Sequence, residues 1–257
     1  MLRYSRNDDL PQLKKIWQDC FGDPTGYIDL YFTHYWQPER LFVLEEAGAA
    51  RAMCAWFDFS LGGAPAAYFY AVATEPAYQG RGFCRQLMAY AEAELEKQGI
   101  RQFLLVPGEE SLFRFYAAMG YEMAGAIGSA DVKVPLPGQV RPLSAGEYLR
   151  RRNEIAPANA VGYTGAQIRY QQLLCDYSGG GLFALGDTGC AVVERLSGTT
   201  LLVKEVLGFD PLLAGSHLLH HCGGSHAIVR FPDDTDKPFC MGKRITRTPC
   251  YLGLAFD

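Results

Sequence analysis

No stretch of this sequence approaches the length of apolar residues that crosses a bilayer, so no membrane partner is expected. Met1 to Asp9 turn polar before a signal-peptide core can form, and a cytoplasmic location is the expectation. Basic residues are not in excess: 24 Lys and Arg stand against 28 Asp and Glu, a net charge of −4. That balance argues against binding a phosphate backbone, and no nucleic-acid partner is expected. Cys-x-x-Cys pairs are missing too. The eight cysteines, at 20, 54, 84, 175, 190, 222, 240 and 250, are scattered, as expected of reduced thiols used as small apolar residues. Neither a zinc ribbon nor a disulfide framework is indicated, and no metal is expected. Low-complexity segments are lacking as well.

What is present is core-forming material. Of 257 residues 49% are hydrophobic, enough for one large domain or two modest ones. Asp8 or Asp9 can cap a helix through Trp17, with Pro11 in its first turn and Leu13, Ile16 and Trp17 on one face. Strand patterns follow at Leu41 to Glu45 and Arg51 to Phe59, then at the almost wholly apolar Ala67 to Thr74, which reads as central to a sheet. After Pro76 the period changes: Phe83, Leu87, Ala91 and Leu95 fall four apart, with Glu92, Glu94, Glu96 and Lys97 expected on the other faces. Gly99 ends that helix and Arg101 to Val106 begins another buried strand, so the segment reads as a βαβ unit with parallel strands. A short helix from about Glu110 to Met119 stops at Gly120, and two strand-like segments lead to Pro135 and Pro137. Pro135-Leu136-Pro137-Gly138 is the expected linker, dividing the chain into domains 1–137 and 138–257.

The chemistry concentrates in Gln79-Gly80-Arg81-Gly82-Phe83-Cys84, between the apolar strand and the amphipathic helix. Glycines let a backbone approach a ligand, and the amides at a helix N-terminus form an anion site suited to a diphosphate. An ordinary tight turn would look similar. No Lys followed by Ser or Thr comes after the last glycine, as a Walker loop would need. Arg85 stands where a dinucleotide fingerprint needs Gly or Ala.

This loop resembles that of the GNAT superfamily, which reads Arg or Gln, two residues, Gly, one residue, then Gly or Ala. Gln79, Gly82 and Cys84 take those positions, with Cys84 the departure. A second landmark, Phe115-Tyr116 followed by Gly120-Tyr121, is similar to the family's Phe-Tyr, three residues, Gly-Phe or Gly-Tyr. The resemblance covers about residues 1 to 135 and implies an α/β fold built on the mixed sheet of GNAT type. It implies acetyl-CoA as cosubstrate, bound by Gln79 to Cys84 and by the backbone near Val72 and Ala73, with Tyr116 as general acid. Direct attack by a primary amine of a small molecule in a ternary complex follows from the same resemblance. Some members carry a Glu five residues before the position of Ala71; here that place is Ala66, leaving Tyr70, Glu75 or Asp58 as the base, or none. The chain also resembles the enhanced-intracellular-survival type of multidomain acetyltransferase, which implies that the carboxylate of Asp257 can enter the active site. A non-catalytic acyl-CoA-binding sensor is the alternative, and the sequence sets no oligomeric state.

The second half repeats the first in outline. Leu182 to Ala191 lines up with Leu41 to Ala50, Thr200 to Leu207 with the central strand, Leu212 to His221 with the amphipathic helix and His226 to Pro232 with the strand after it. Phe209-Asp210-Pro211 replaces the glycine loop, so this half is expected to be a degenerate GNAT-like copy that serves as substrate pocket or lid without binding CoA. His217 and His221 could share a helix face, but no carboxylate completes a metal set, and a surface helix is the expectation.

Overall fold

The computed structural model describes residues 1–233, 237–246 and 249–256. Its backbone divides into two compact units: Met1–Glu122 with Met241–Thr246, and Met123–Cys240 with Arg247–Asp257.

In the first unit, β1 (Leu2–Tyr4), β2 (Leu41–Glu46), β3 (Ala49–Leu61) and β4 (Ala64–Thr74) run antiparallel in sequence order. Two helices, α1 (Leu10–Phe21) and α2 (Thr25–His34), precede β2. Pro11 sits in the first turn of α1, as expected. Asp9 does not cap α1 with its side chain, because the carboxylate takes the Arg3 guanidinium and the Arg6 amide instead. Strand alternation sends Met53, Ala55, Phe57 and Tyr70 toward α1 and α2, and Cys54, Trp56, Ala67 and Phe69 toward α3 (Phe83–Lys97) on the other face. After α3 comes β5 (Gln102–Leu105), parallel to β4 from Ala66↔Gln102 to Phe69↔Leu105, and then α4 (Glu110–Ala117). This is the βαβ unit that the period change implies.

One feature of α3 corrects the sequence reading. Glu92 is buried, sharing a stripe with Leu87, Met88, Ala91 and Leu95. The stripe is wide enough to include the position four residues after Met88, and a carboxylate survives there because Tyr121 and Lys243 bind it.

The second unit begins with β6 (Glu122–Val132), one continuous strand where two segments are expected. Then come β7 (Val140–Pro142), α5 (Ala145–Ile155), α6 (Gly165–Ser178), β8 (Gly181–Leu185), β9 (Gly189–Ser197), β10 (Thr200–Leu207), α7 (Pro211–Cys222) and β11 (His226–Pro232). Capping boxes, Ser144 with Glu147 and Thr164 with Gln167, start α5 and α6. β7 to β10 run antiparallel and β10 is parallel to β11, the same series as β1 to β5. Gly215 lets α7 lie close to the sheet, since a Cβ there would meet Val132 and Val229 at 2.8 Å.

The last strand of each unit comes from an unexpected part of the chain. β12 (Lys237–Lys243) supplies Met241–Lys243 as the antiparallel neighbour of β5, whereas β6, which follows α4 in sequence, pairs with β11. The expected linker is not a boundary between compact units. The Leu136 amide donates to the Ser216 carbonyl at 3.0 Å and its carbonyl accepts from His217 Nδ1 at 3.1 Å, which docks 135–138 on α7 inside the second unit.

Candidate active site

The loop between β4 and α3 is shaped by two glycines with left-handed backbones, Gly80 at φ 75° and Gly82 at φ 77°. Gly82 is the N-cap of α3, and no side chain caps this end. The amides of the first turn are therefore open to an anion, with the helix dipole behind them. A Cβ on Gly82 would find its nearest neighbour, Gln86 Nε2, at 3.9 Å, so φ rather than crowding calls for glycine. Gln79 folds back to donate to the Thr74 carbonyl at 3.1 Å, tying the loop to the end of β4. Arg81 lies over the Tyr78 ring, 4.7 Å from its centroid, and 3.7 Å from Glu46. Phe83 and Cys84 turn inward against the core beneath α3. Burial pushes the Cys84 thiol up to about 11, so it is a neutral, small filler at the position where the family has Gly or Ala.

Beside this loop the sheet opens. Hydrogen-bonded register between β4 and β5 stops at Phe69↔Leu105, while β4 continues to Thr74. At the same point β4 carries a bulge: between the pairs Ala55↔Tyr70 and Met53↔Ala73, the single residue Cys54 of β3 stands opposite Ala71 and Val72 of β4. Ala71 takes φ 47° there, a left-handed conformation unusual for alanine. The bulge turns Val72 toward the core beneath α3 and leaves Ala73 buried and paired with Met53. Nothing in the residue types announces this bulge; it belongs to the strand pairing.

Tyr116, on the last turn of α4, joins the same core as Phe83 and Cys84. Its ring meets Tyr121 edge to face at 6.0 Å, and its hydroxyl has no hydrogen-bond partner among the described residues. Burial pushes its phenol far above the ordinary tyrosine range, and Cys84 and Cys54 add to this. The group keeps its proton at neutral pH.

The candidate bases fare differently. Glu75 is held by Arg51 at 2.7 Å and by Gln12 at 3.4 Å. Tyr70 lies on the opposite face in an aromatic cluster with Trp17 at 5.4 Å, Phe57 at 5.3 Å and Tyr31 at 5.9 Å. Asp58 faces Arg40 at 3.5 Å. Asp257 lies outside the described residues. The structure thus brings Val72, Phe83, Cys84 and Tyr116 into the core beneath α3, with the Gln79–Gly82 loop leading into that helix, and sets Tyr70 on the other face of the sheet.

The corresponding helix of the second unit starts differently. Asp210 caps α7, accepting the Leu213 amide at 2.8 Å, and Pro211 lacks an N–H, so this helix end is already closed. A bulge recurs in β10 between Val203 and Glu205. There the interior is filled by charge. Glu205 takes Arg152 through two bonds, at 2.9 and 3.1 Å, and Tyr148 through a third, while Lys204 reaches Glu194 at 3.2 Å. Arg152, Lys204 and Glu205 are all fully buried. His217 packs against 136–138 and His221 against Phe183; among the described residues no group of three potential metal ligands occurs.

An uncapped glycine loop at a helix N-terminus, a parallel βαβ unit and a bulge in β4 form the pattern of a GNAT domain. Residues 1–124 match the family model described as an acetyltransferase (GNAT) domain, and this part of the chain is a GNAT domain. Comparison with curated proteins finds no match. Among solved structures, the chain is similar to a GCN5-related N-acetyltransferase from Kribbella flavida, at 18% identity and TM-score 0.66, covering 94% of this chain and 70% of that one. It is similar at 16% identity and TM-score 0.68 to a GCN5-related N-acetyltransferase from Anabaena variabilis, covering 96% and 73%. A protein from Pyrococcus horikoshii matches at 14% identity and TM-score 0.66 over 99% of this chain and 93% of its own. At such identities these likenesses speak for the fold of both halves. No helix among the described residues is long and apolar enough to cross a membrane.

Proposed function

We propose that this protein transfers an acetyl group from acetyl-CoA to a primary amine of a small molecule, by direct attack in a ternary complex. The observation that carries the reading is the open first turn of α3 on Gly82, set beside the stretch of β4 beyond Phe69 that β5 leaves unpaired. The amides of Phe83 and Cys84 and the backbone at Gly80 and Gly82 suit a diphosphate, and the cleft beyond Phe69 suits an extended acyl-carrying arm. Bound acetyl-CoA supplies the thioester, whose C–S bond breaks as the amine's N–C bond forms. Backbone groups near Val72 and Ala73 orient the carbonyl. Tyr116 gives its phenolic proton to the departing sulfur and recovers one, through water, from the ammonium of the new amide nitrogen. Its place in the core beneath α3, with Val72 of β4 and with Phe83 and Cys84 of the loop, supports that role. The ion pair of Glu75 and the aromatic packing of Tyr70 argue that the amine arrives neutral or loses its proton to water.

The second unit is a degenerate copy of the first, in a protein of the cytoplasm, and the acid-capped start of α7 supports its having no cofactor site. A non-catalytic acyl-CoA sensor is the second reading, favoured by Ala66 in place of an acid and by the pairing of Glu75. Thiol release from acetyl-CoA, measured across a panel of primary amines with CoA binding followed by calorimetry, separates the two. Amine-dependent release supports the transferase; tight CoA binding without turnover on any amine supports the sensor.

A further inference from the structure

The segment 241–246 belongs to the first unit and meets the C-terminal half of α3, where Lys243 pairs with Glu92 and Arg244 with Glu96. Lys243, paired with Phe103 in the β12–β5 ladder, extends its side chain past Gly120, whose missing Cβ would stand 3.5 Å from Lys243 Cε. Lys243 Nζ then donates to Glu92 Oε2 at 2.6 Å. The other oxygen of Glu92 accepts from the hydroxyl of Tyr121 at 2.8 Å, and Nζ also lies 5.5 Å from the Tyr121 ring centroid. Tyr121 is 1% exposed, and its ring meets that of Tyr116 at 6.0 Å and 66°. The Tyr121 amide donates to the Tyr116 carbonyl at 3.2 Å, closing the turn that carries both rings. A continuous chain of contacts therefore runs from Lys243 through Glu92 and Tyr121 to Tyr116. Both its charges are largely removed from water, where a fixed ion pair orients its neighbours more stiffly than it would on the surface.

We propose that Lys243 is a positioning residue for acyl transfer: with Glu92 it fixes the Tyr121 ring, and through that ring it sets Tyr116 at the cleft. The proposal rests on the general-acid reading of Tyr116. It explains why a buried carboxylate sits in the middle of α3, and it makes the C-terminal strand part of the working site. Residues 1–137 alone then lack a component of their own active site.

The test is a double-mutant cycle in the full chain, reading thiol release from acetyl-CoA with spermidine or water as acyl acceptor and CoA affinity by calorimetry. Lys243→Met is expected to lower kcat between about ten- and a hundredfold while CoA affinity stays within about twofold, as for a misplaced proton donor. Lys243→Arg, which can still bind Glu92, should restore most of the rate. In a Tyr116→Phe background Lys243→Met should cost nothing more, because the residue it positions has lost its proton. Should Lys243→Met fold poorly with Glu92 left unpaired, Lys243→Met combined with Glu92→Gln removes both charges and keeps an acceptor for Tyr121; the same loss of kcat is expected. An equal cost of Lys243→Met in both backgrounds, or a parallel loss of CoA binding, overturns the proposal while a slow Tyr116→Phe leaves the general-acid reading standing. Full turnover by Tyr116→Phe overturns both.

Discussion

Tyr116, Tyr121, Tyr148, Tyr163 and Tyr251 are all buried, and burial raises each phenol above its ordinary range near 10. Glu92 beside Tyr121 and Glu205 beside Tyr148 push in the same direction. The sign of the linkage follows. Unfolded tyrosines ionise near pH 10 while the folded ones stay neutral, so their contribution is intact below about 10 and is lost as pH rises above it, at up to about 1.4 kcal/mol per pH unit for each ring. Melting temperature should therefore fall steeply on the alkaline side of about 10, and tyrosinate absorbance for these rings should develop only with unfolding. A gradual tyrosinate signal at constant fold would contradict the burial. The role proposed for Tyr116 comes from its motif in the sequence, but its burial against Cys84 and Cys54 is not legible there, since those residues lie 32 and 62 positions away.

The two central helices diverge at their first residues. α3 starts on Gly82 at φ 77°, where a β-branched residue is strained by about 1–2 kcal/mol even though space is free around it. Gly82→Val should thus weaken CoA binding at least about tenfold and also lower stability, unless the loop rearranges. Calorimetry and thermal unfolding read the two effects; unchanged affinity in a folded variant removes the loop from the binding site. In the second unit, α5 and β10 are joined by Arg152 and Glu205, and Gly253 lies so close that a Cβ would stand 2.0 Å from Glu205 Oε1. Arg152→Met strands a buried carboxylate and should destabilise by about 3–5 kcal/mol in urea unfolding, whereas Arg152→Met with Glu205→Leu should cost less. An equal loss in both would show that packing, not charge, holds this element pair.

Across the chain, one strand, helix and strand series occurs twice, and the copies differ at the helix starts. The first unit has an open amide turn on Gly82, whereas the second has an Asp210-capped, Pro211-led turn. Titration of CoA should accordingly give one site per chain. Two sites would mean that a capped helix end still accepts a diphosphate and would remove the basis for calling the second copy degenerate.

Periodicity and turn chemistry place β2, β3, β4, α3 and β5 within a few residues of where they stand, because each buries its own apolar stripe and ends at its own glycine or proline. The need for glycine at Gly82 is likewise readable, since the local turn sets its φ, while Tyr116 is singled out only through its resemblance to the family motif. The bulge at Ala71, the exchange that gives β5 a partner from 241–243, and the burial of Glu92 are not. Each depends on which backbone or charge arrives from another element of the fold: a strand edge accepts any extended segment that satisfies its amides, and a carboxylate can leave water only once Lys243 and Tyr121 are beside it.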